Sequence, residues 1–249
     1  MIPWVLLGRA DVPGGGEIRL MRRGEEFSIR LGANELMNSR LGGSEEALAR
    51  LACQGLRDRS GVRMLIGGLG MGFTLRAALA ELGPDCGIVV AELAPAVVEW
   101  ARGPMAGIFG RSLDDPRVSL FEGDVGRLIR SNASAYDAIL LDVDNGPEGL
   151  TRAANDSLYD FSGLASARNA LRPGGVLAVW PSAPNKAFAQ RLRDSGFSVE
   201  EVPVRANGAR GGARHVIWIA SPVSGVHGSP NPMLNPQARS GRHRRARDR

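Results

Sequence analysis

The N-terminal part of the chain alternates between apolar and polar residues with the period of two that is typical of β-strands. Two such runs, residues 17–22 and 26–31, are separated by the turn-forming residues 23–25, which predicts a β-hairpin. A third short strand is expected over residues 35–37. The pattern therefore predicts a small N-terminal β appendage, which we assign to residues 1–43.

The pattern changes at Ser44, where helical and strand-like segments begin to follow one another in turn. Ser44 is the expected N-cap of the first helix, because a serine hydroxyl can accept a hydrogen bond from the first helical turn. The predicted strands are 62–66, 87–91, 118–121, 137–141 and 176–180, and the predicted helices are 73–82, 95–102, 125–131 and 158–171. This alternation indicates βαβ units and a parallel sheet.

The end of the predicted core departs from this alternation of strands and helices. A helix at 186–195 is followed by two strands, 197–203 and 214–220, which a glycine-rich turn joins into a hairpin. A mostly parallel seven-stranded sheet closed by an antiparallel hairpin is the layout of the class I S-adenosylmethionine-dependent transferase fold, a Rossmann-like α/β architecture. We predict this fold for residues 44–221.

Charge is concentrated after this core. The chain of 249 residues has a net charge of +5, and residues 222–249 alone carry six arginines against one aspartate, so the remainder is neutral. Such a tail could touch the phosphates of a nucleic acid, but its composition favours a disordered, solvated terminus. No apolar run has the length of a membrane span or the form of a signal peptide, so we expect a cytoplasmic protein without membrane contact.

The candidate chemistry begins with a glycine loop that follows the first core strand. Gly68, Gly70 and Gly72 stand between this strand and the next helix, where glycine lets the backbone approach a ligand closely. Such a loop can equally serve tight packing alone. It gains weight from Glu92, which ends the second core strand 20 residues after Gly72, because a carboxylate at this place can accept both hydroxyl hydrogens of a ribose.

Two further acidic positions follow in the same order along the chain. Asp124 comes after the third core strand, where it could accept a hydrogen bond from the amine of an adenine or act as the N-cap of helix 125–131. Asp142 and Asp144 follow the fourth core strand, and one of them could serve as a general base or anchor a cation. Capping of the loop is the alternative for this pair. The ordered set predicts an adenosyl-sulfonium nucleotide as ligand.

With these motifs in hand, the chain resembles the polyamine aminopropyltransferase (spermidine synthase) family over residues 15–220. The resemblance rests on these segments: IGGLGMGFTLR at 66–76, AELAPAVVEWAR at 91–102, DDPRV at 114–118, EGD at 122–124, YDAILLD at 136–142, and the region from Leu158-Tyr159 to LRPGGVL at 171–177.

The resemblance implies a function and a set of roles. The implied reaction moves an aminopropyl group from decarboxylated S-adenosylmethionine to a polyamine such as putrescine, without a metal. It implies that Asp142 and Asp144 are catalytic and that Asp142 also binds the nucleotide that donates the aminopropyl group. The amine is expected to contact Glu46, Asp144 and Asn145. The expected partners are this small-molecule amine and a second copy of the chain.

The chain also departs from the family pattern. The second aspartate of the family's strand-four motif falls on Asn145, and the family's Tyr-His-Glu stretch falls on residues 44–46, of which only Glu46 is kept. The usual aspartate of the glycine loop is absent. A class I methyltransferase that uses intact S-adenosylmethionine with an unknown acceptor is therefore the alternative function.

Overall fold

The computed structural model describes residues 2–13, 16–143, 157–180, 185–208 and 211–223. Its N-terminal part is an antiparallel sheet in the order β1-β2-β3-β4. The strands are β1 (Val5–Asp11), β2 (Glu17–Arg23), β3 (Glu26–Leu31) and β4 (Asn34–Asn38). The predicted appendage thus has one strand more than its sequence pattern indicates.

The additional strand β1 escapes prediction because its side chains do not alternate between buried and exposed positions. Val5, Leu6 and Leu7 are all exposed, so the apolar run carries no period of two. Gly8 lies against Trp100 of the core, where a Cβ at residue 8 would come within 2.7 Å of the indole nitrogen. The absence of a side chain at Gly8 therefore allows β1 to pack closely against the core.

The larger sheet has seven strands in the order β10-β11-β9-β8-β5-β6-β7. Its strands are β5 (Arg63–Gly67), β6 (Gly87–Glu92), β7 (Val118–Glu122), β8 (Tyr136–Leu141), β9 (Leu171–Val179), β10 (Phe197–Arg205) and β11 (Arg214–Pro222). The pairs among β5 to β9 are parallel, whereas β11 is antiparallel to both β9 and β10. The predicted fold class is confirmed.

The structure gives both ends of the following α-helices within the described residues. They are α1 (Gly43–Cys53), α2 (Phe73–Glu81), α3 (Pro95–Arg102), α4 (Ala106–Phe109), α5 (Val125–Ser131), α6 (Phe161–Ala170) and α7 (Lys186–Asp194). A short 3₁₀ helix, Ser112–Asp114, precedes β7. The helices cover both faces of the large sheet, as a parallel sheet requires.

The core consists of two apolar clusters on the two faces of this sheet. Met64 and Ile66 of β5 belong to one cluster, with side chains of the β appendage, α1, α2 and α3. Leu65 belongs to the other, with side chains of α5, α6 and α7. Burial of one such side chain contributes about 2 kcal/mol, so burial on both faces of the sheet holds the internal strand β5 in place.

Three boundaries differ from the predictions. Helix α1 has Gly42, not Ser44, as its N-cap, because the Gly42 carbonyl already accepts the Glu46 N–H at 2.9 Å. Strand β9 begins at Leu171, five residues before the predicted start, since Tyr136 pairs with Leu171 before the register shifts. Strand β11 includes Pro222, so the core extends past residue 221; residues 224–249 of the predicted tail lie outside the described residues.

The strand order places a switch point beside β5. The chain runs from β5 to β6 and β7 on one side and then returns to β8 on the other. In open α/β sheets, ligands bind outside the carboxyl ends of the strands at such a point. Glu92 ends β6, and Gly68, Asp124 and Asp142 follow the carboxyl ends of β5, β7 and β8.

Candidate active site

The glycine loop connects β5 with α2, and its backbone requires glycine. Gly68, Gly70 and Gly72 have φ angles of +91°, +50° and +71°. A Cβ on Gly68 would come within 2.2 Å of the Asp142 carbonyl oxygen, and one on Gly72 within 2.4 Å of Phe109 Cε1. The loop therefore packs against the end of β8 as well as following β5.

The three glycines do not have the same surroundings. Gly68 and Gly70 line a cleft of about 880 Å³, a volume that includes open solvent. Gly72 is not part of its wall; it is the N-cap of α2 and packs against Phe109. The structure thus brings two of the three predicted glycines to the cleft and gives the third a packing role.

The cleft lies between the large sheet and the β appendage. On the sheet side it carries three carboxylates, those of Glu92, Asp124 and Asp142. The appendage side is apolar, and its residues are Val12, Ile18, Ile29, Leu31, Leu36 and Met37. This apolar wall was not predicted, because the period of two in a strand shows which of its faces is buried but not which part of the protein lies opposite that face.

Glu92 is held in place by backbone donors from both sides. Its Oε2 accepts the Leu69 N–H at 2.9 Å, and its Oε1 accepts the Ala94 N–H at 2.9 Å. The first bond joins the end of β6 to the glycine loop. The carboxylate is therefore oriented in the cleft wall before any ligand arrives.

For Asp124 the sequence left two roles open, the N-cap of α5 and contact with an adenine. Its Oδ1 accepts the Gly126 N–H at 2.8 Å, which makes it the N-cap of α5, and its Oδ2 accepts from Arg130 at 3.0 Å. It also lines the cleft. The capping role is thus confirmed, and contact with an adenine remains a prediction.

Asp142 lies where the cleft meets a second, smaller cavity. Thr74 Oγ1 donates to Asp142 Oδ2 at 2.5 Å, and the Asp142 N–H donates to the Gly67 carbonyl at 2.9 Å. Asp142 lines both spaces. Thr74, the second residue of α2, lies in the segment 66–76 that carries the family resemblance, but no role was predicted for it.

The smaller cavity has a volume of about 480 Å³, which includes open solvent, and it holds a second carboxylate. Its lining comprises Leu36, Met37, Glu45, Leu69, Gly70, Met71, Phe73, Asp142 and Trp180. Burial is the main cause that raises the pKa of the Glu45 carboxyl; the Glu46 charge also raises it, while the Ser44 hydroxyl opposes the shift. Sequence analysis missed Glu45.

Glu46, the residue that the family pattern keeps, lies elsewhere. It forms an ion pair with Arg50 one turn along α1 and is absent from the lining of both cavities. Neighbouring positions of an α-helix point about 100° apart, and Glu46 lies outside the described lining that includes Glu45. The contact of Glu46 with an amine stays a prediction. Asp144 and Asn145 lie outside the described residues.

The described residues hold no group of three or more side chains suited to bind a metal ion. In the same parts of the chain, no helix combines the length and the apolar character that a membrane crossing demands.

The strand order, the glycine loop at the switch point and the closing hairpin together define a class I S-adenosylmethionine-dependent transferase fold. A scan against models of known protein families found no match. Curated proteins do match: the chain is 29% identical over 195 residues to a polyamine aminopropyltransferase of Mycobacterium tuberculosis, which covers 74% of this chain and 35% of the relative. It is 31% identical over 141 residues to polyamine aminopropyltransferase 2 of Pseudomonas aeruginosa, covering 52% and 38%.

Solved structures support the same fold. The spermidine synthase of Thermotoga maritima superimposes with a TM-score of 0.70 at 17% identity, covering 86% of this chain and 72% of that one. A spermidine synthase in complex with the transition-state analogue AdoDATO gives 0.72 at 17% identity, covering 86% and 73%. The resemblance to the polyamine aminopropyltransferase family is confirmed, and the chain spans little more than a third of the length of these two curated relatives.

Proposed function

We propose that this chain is an aminopropyltransferase, which transfers the aminopropyl group of decarboxylated S-adenosylmethionine to a small amine such as putrescine. The observation that carries the proposal is the position of Asp142 between two connected spaces. A nucleotide donor in the larger space would place its sulfonium end close to this carboxylate. The names of the curated relatives support the same reaction.

The donor would be held by the acids of the cleft. The Glu92 carboxylate, which the Leu69 and Ala94 N–H groups orient, would accept the ribose hydroxyls. Asp124 would accept from the adenine amine. The apolar wall of the β appendage would cover the donor and limit the access of water, which strengthens charge interactions inside the cleft.

The reaction requires alignment more than strong activation. The attacking ammonium first loses a proton. Its nitrogen then forms a bond to the propyl carbon next to sulfur, while the electron pair of the carbon–sulfur bond leaves with sulfur, giving methylthioadenosine and a secondary ammonium. Asp142, oriented by Thr74, would bind the attacking amine and accept or relay this proton. Asp144 as base and Asn145 as amine contact remain parts of the proposal.

The activity can be tested directly with purified protein. Incubation with decarboxylated S-adenosylmethionine and putrescine should yield methylthioadenosine and spermidine, detected by mass spectrometry. Asp142→Asn should lower the rate at least a hundredfold, while Glu200→Gln, an exposed change on β10, should not. Product formation only from intact S-adenosylmethionine, with methyl transfer, would refute the proposal in favour of the methyltransferase alternative.

A homodimer and a cytoplasmic location also remain predictions. Equilibrium sedimentation of the full chain should give twice the monomer mass of 26.5 kDa. A single species at the monomer mass over the micromolar range would exclude the dimer.

A further inference from the structure

The smaller cavity continues the larger cleft instead of forming a separate site. Both are lined by Leu36, Met37, Gly70 and Asp142. A ligand chain that leaves a ribose held at Glu92 and passes between Gly70 and Asp142 would therefore enter the smaller cavity. In the proposed donor, that chain is three carbons long and ends in a primary ammonium.

Such an ammonium needs a negative partner, and the glycine loop does not supply one. The loop residues that line the smaller cavity are Leu69, Gly70 and Met71, none of which carries a charge. Asp142 stands at the junction, near the place of the sulfonium and the attacking amine. Among the described residues, the other carboxylate in the wall of this cavity is that of Glu45 in α1.

The position of Glu45 is fixed by its neighbours. Ser44 Oγ donates to Glu45 Oε2 at 2.7 Å, and the Glu45 carbonyl lies 3.3 Å from Thr74 Oγ1, the same hydroxyl that donates to Asp142. Thr74 thus links the backbone of Glu45 to the junction of the two spaces. The second carboxylate is held at the cavity by a specific arrangement of α1 against α2.

Within the described parts of the chain, the Glu45 carboxylate has no salt-bridge partner, whereas the adjacent Glu46 is paired with Arg50. The nearby Arg76 is engaged elsewhere: its guanidinium stacks on Phe73 at 4.9 Å from the ring centroid and donates to the Met71 carbonyl. Burial of a carboxylate without a cation is costly, and this burial raises the pKa of Glu45. Binding of a cation would offset that cost.

We propose that Glu45 selects the donor, by binding the terminal ammonium of the aminopropyl chain and disfavouring the carboxylate that intact S-adenosylmethionine carries at the same end. This inference rests on the proposed function. The aromatic side chains of Phe73 and Trp180 line the same cavity, and aromatic rings attract ammonium groups. Selection by repulsion of a like charge is a common device of specific sites.

The test is titration calorimetry of the full chain with three ligands: decarboxylated S-adenosylmethionine, intact S-adenosylmethionine and methylthioadenosine, which lacks the charged chain. The wild type should bind the decarboxylated compound at least tenfold more tightly than the intact one. Glu45→Gln should reduce this ratio at least tenfold and leave methylthioadenosine unchanged. Glu45→Asp, which keeps the charge, should retain part of the preference and serves as the test variant if Glu45→Gln fails to fold.

Two substitutions separate Glu45 from its surroundings. Glu200→Gln is the matched control and should leave all three affinities unchanged. Glu46→Gln tests the position that the family pattern indicates. The inference would be overturned if Glu46→Gln lost the preference for the decarboxylated compound while Glu45→Gln kept it. The inference would also be overturned if Glu45→Gln bound all three ligands more weakly by the same factor.

The failure of this inference can be told from failure of the proposed function. If the wild type prefers the decarboxylated donor and Glu45→Gln keeps that preference, the role of Glu45 is wrong but the proposed function stands. If the wild type prefers intact S-adenosylmethionine, the proposed function itself fails.

Discussion

The Thr74 hydroxyl lies 2.5 Å from Oδ2 of Asp142 and ties the start of α2 to the end of β8. Both residues follow strands that are neighbours in the sheet, β5 and β8. Thr74 is almost fully buried, at 3% exposure, so water is poorly placed to replace it as a donor. The orientation of the Asp142 carboxylate therefore depends on a residue for which the sequence predicted no role.

Replacement of Thr74 by valine should impair the reaction while leaving the fold intact. The two side chains have similar shapes, but valine cannot donate to Asp142, and a hydrogen bond to a charged group contributes about 1.5–3 kcal/mol. We expect kcat/KM for methylthioadenosine formation to fall about tenfold or more. Thr74→Ser keeps the hydroxyl and should stay within a few-fold of wild type; equal rates for the two variants would contradict the positioning role.

Glu92→Ala should weaken the binding of every adenosyl ligand. The substitution removes the proposed acceptor of the ribose hydroxyls and also leaves the Leu69 and Ala94 N–H groups without the carboxylate. We expect the dissociation constant of methylthioadenosine to rise at least tenfold in calorimetry. Glu92→Gln retains one oxygen and should lie between Ala and wild type. Unchanged affinity in Glu92→Ala would rule out the ribose assignment.

Much of the fold is predictable from the sequence because its signals are local. Strand β8 is buried at all six positions, and its residues 138–141 form an apolar run. The acids at the ends of β6, β7 and β8 mark the carboxyl edge of the sheet. Strand β1 was not predictable, since its exposed apolar residues have no period. The start of β9 was missed because its first pair precedes a register shift.

The site was only partly predictable for a related reason. Glu92, Asp124 and Asp142 share the cleft because parallel strands end at one edge of the sheet. Glu45 and Thr74 depend on how α1 packs against α2, and long-range packing leaves no local pattern. Among the described residues of α1, Glu45 lines the smaller cavity, whereas the family pattern points to Glu46, whose role stays a prediction.

Asp124 should show separable effects on stability and on binding. Asp124→Ala removes the N-cap of α5, and loss of a cap typically costs about 1 kcal/mol, which denaturant unfolding would measure. Asp124→Ser can still cap the helix but has no carboxylate for an adenine amine. We expect Ser to restore most of the stability without restoring the affinity for methylthioadenosine. Recovery of both by serine would show that Asp124 acts through the helix alone.

The stability of the folded chain should report on the burial of Glu45 as pH changes. Burial is the main cause that raises the folded-state pKa of Glu45 above its ordinary value, and the neighbouring Glu46 charge adds to it. Between the unfolded and folded pKa values, the native state binds more protons at this site, so its contribution to stability falls as pH rises. Glutamine has no such charge, so Glu45→Gln should match wild type at pH 4 and exceed it in free energy of unfolding at pH 8.

Glu46→Gln provides the comparison for this experiment, because it removes a carboxylate that is already paired with Arg50. Exposed pairs of this kind contribute little, typically below about 1 kcal/mol, so Glu46→Gln should be neutral or slightly destabilising at pH 8. Addition of decarboxylated S-adenosylmethionine should then reduce the advantage of Glu45→Gln, because only the wild type gains an ammonium partner for the buried carboxylate. If Glu45→Gln raised the free energy of unfolding by the same amount at pH 4 and at pH 8, burial of the charge would not be the cause of the stabilisation.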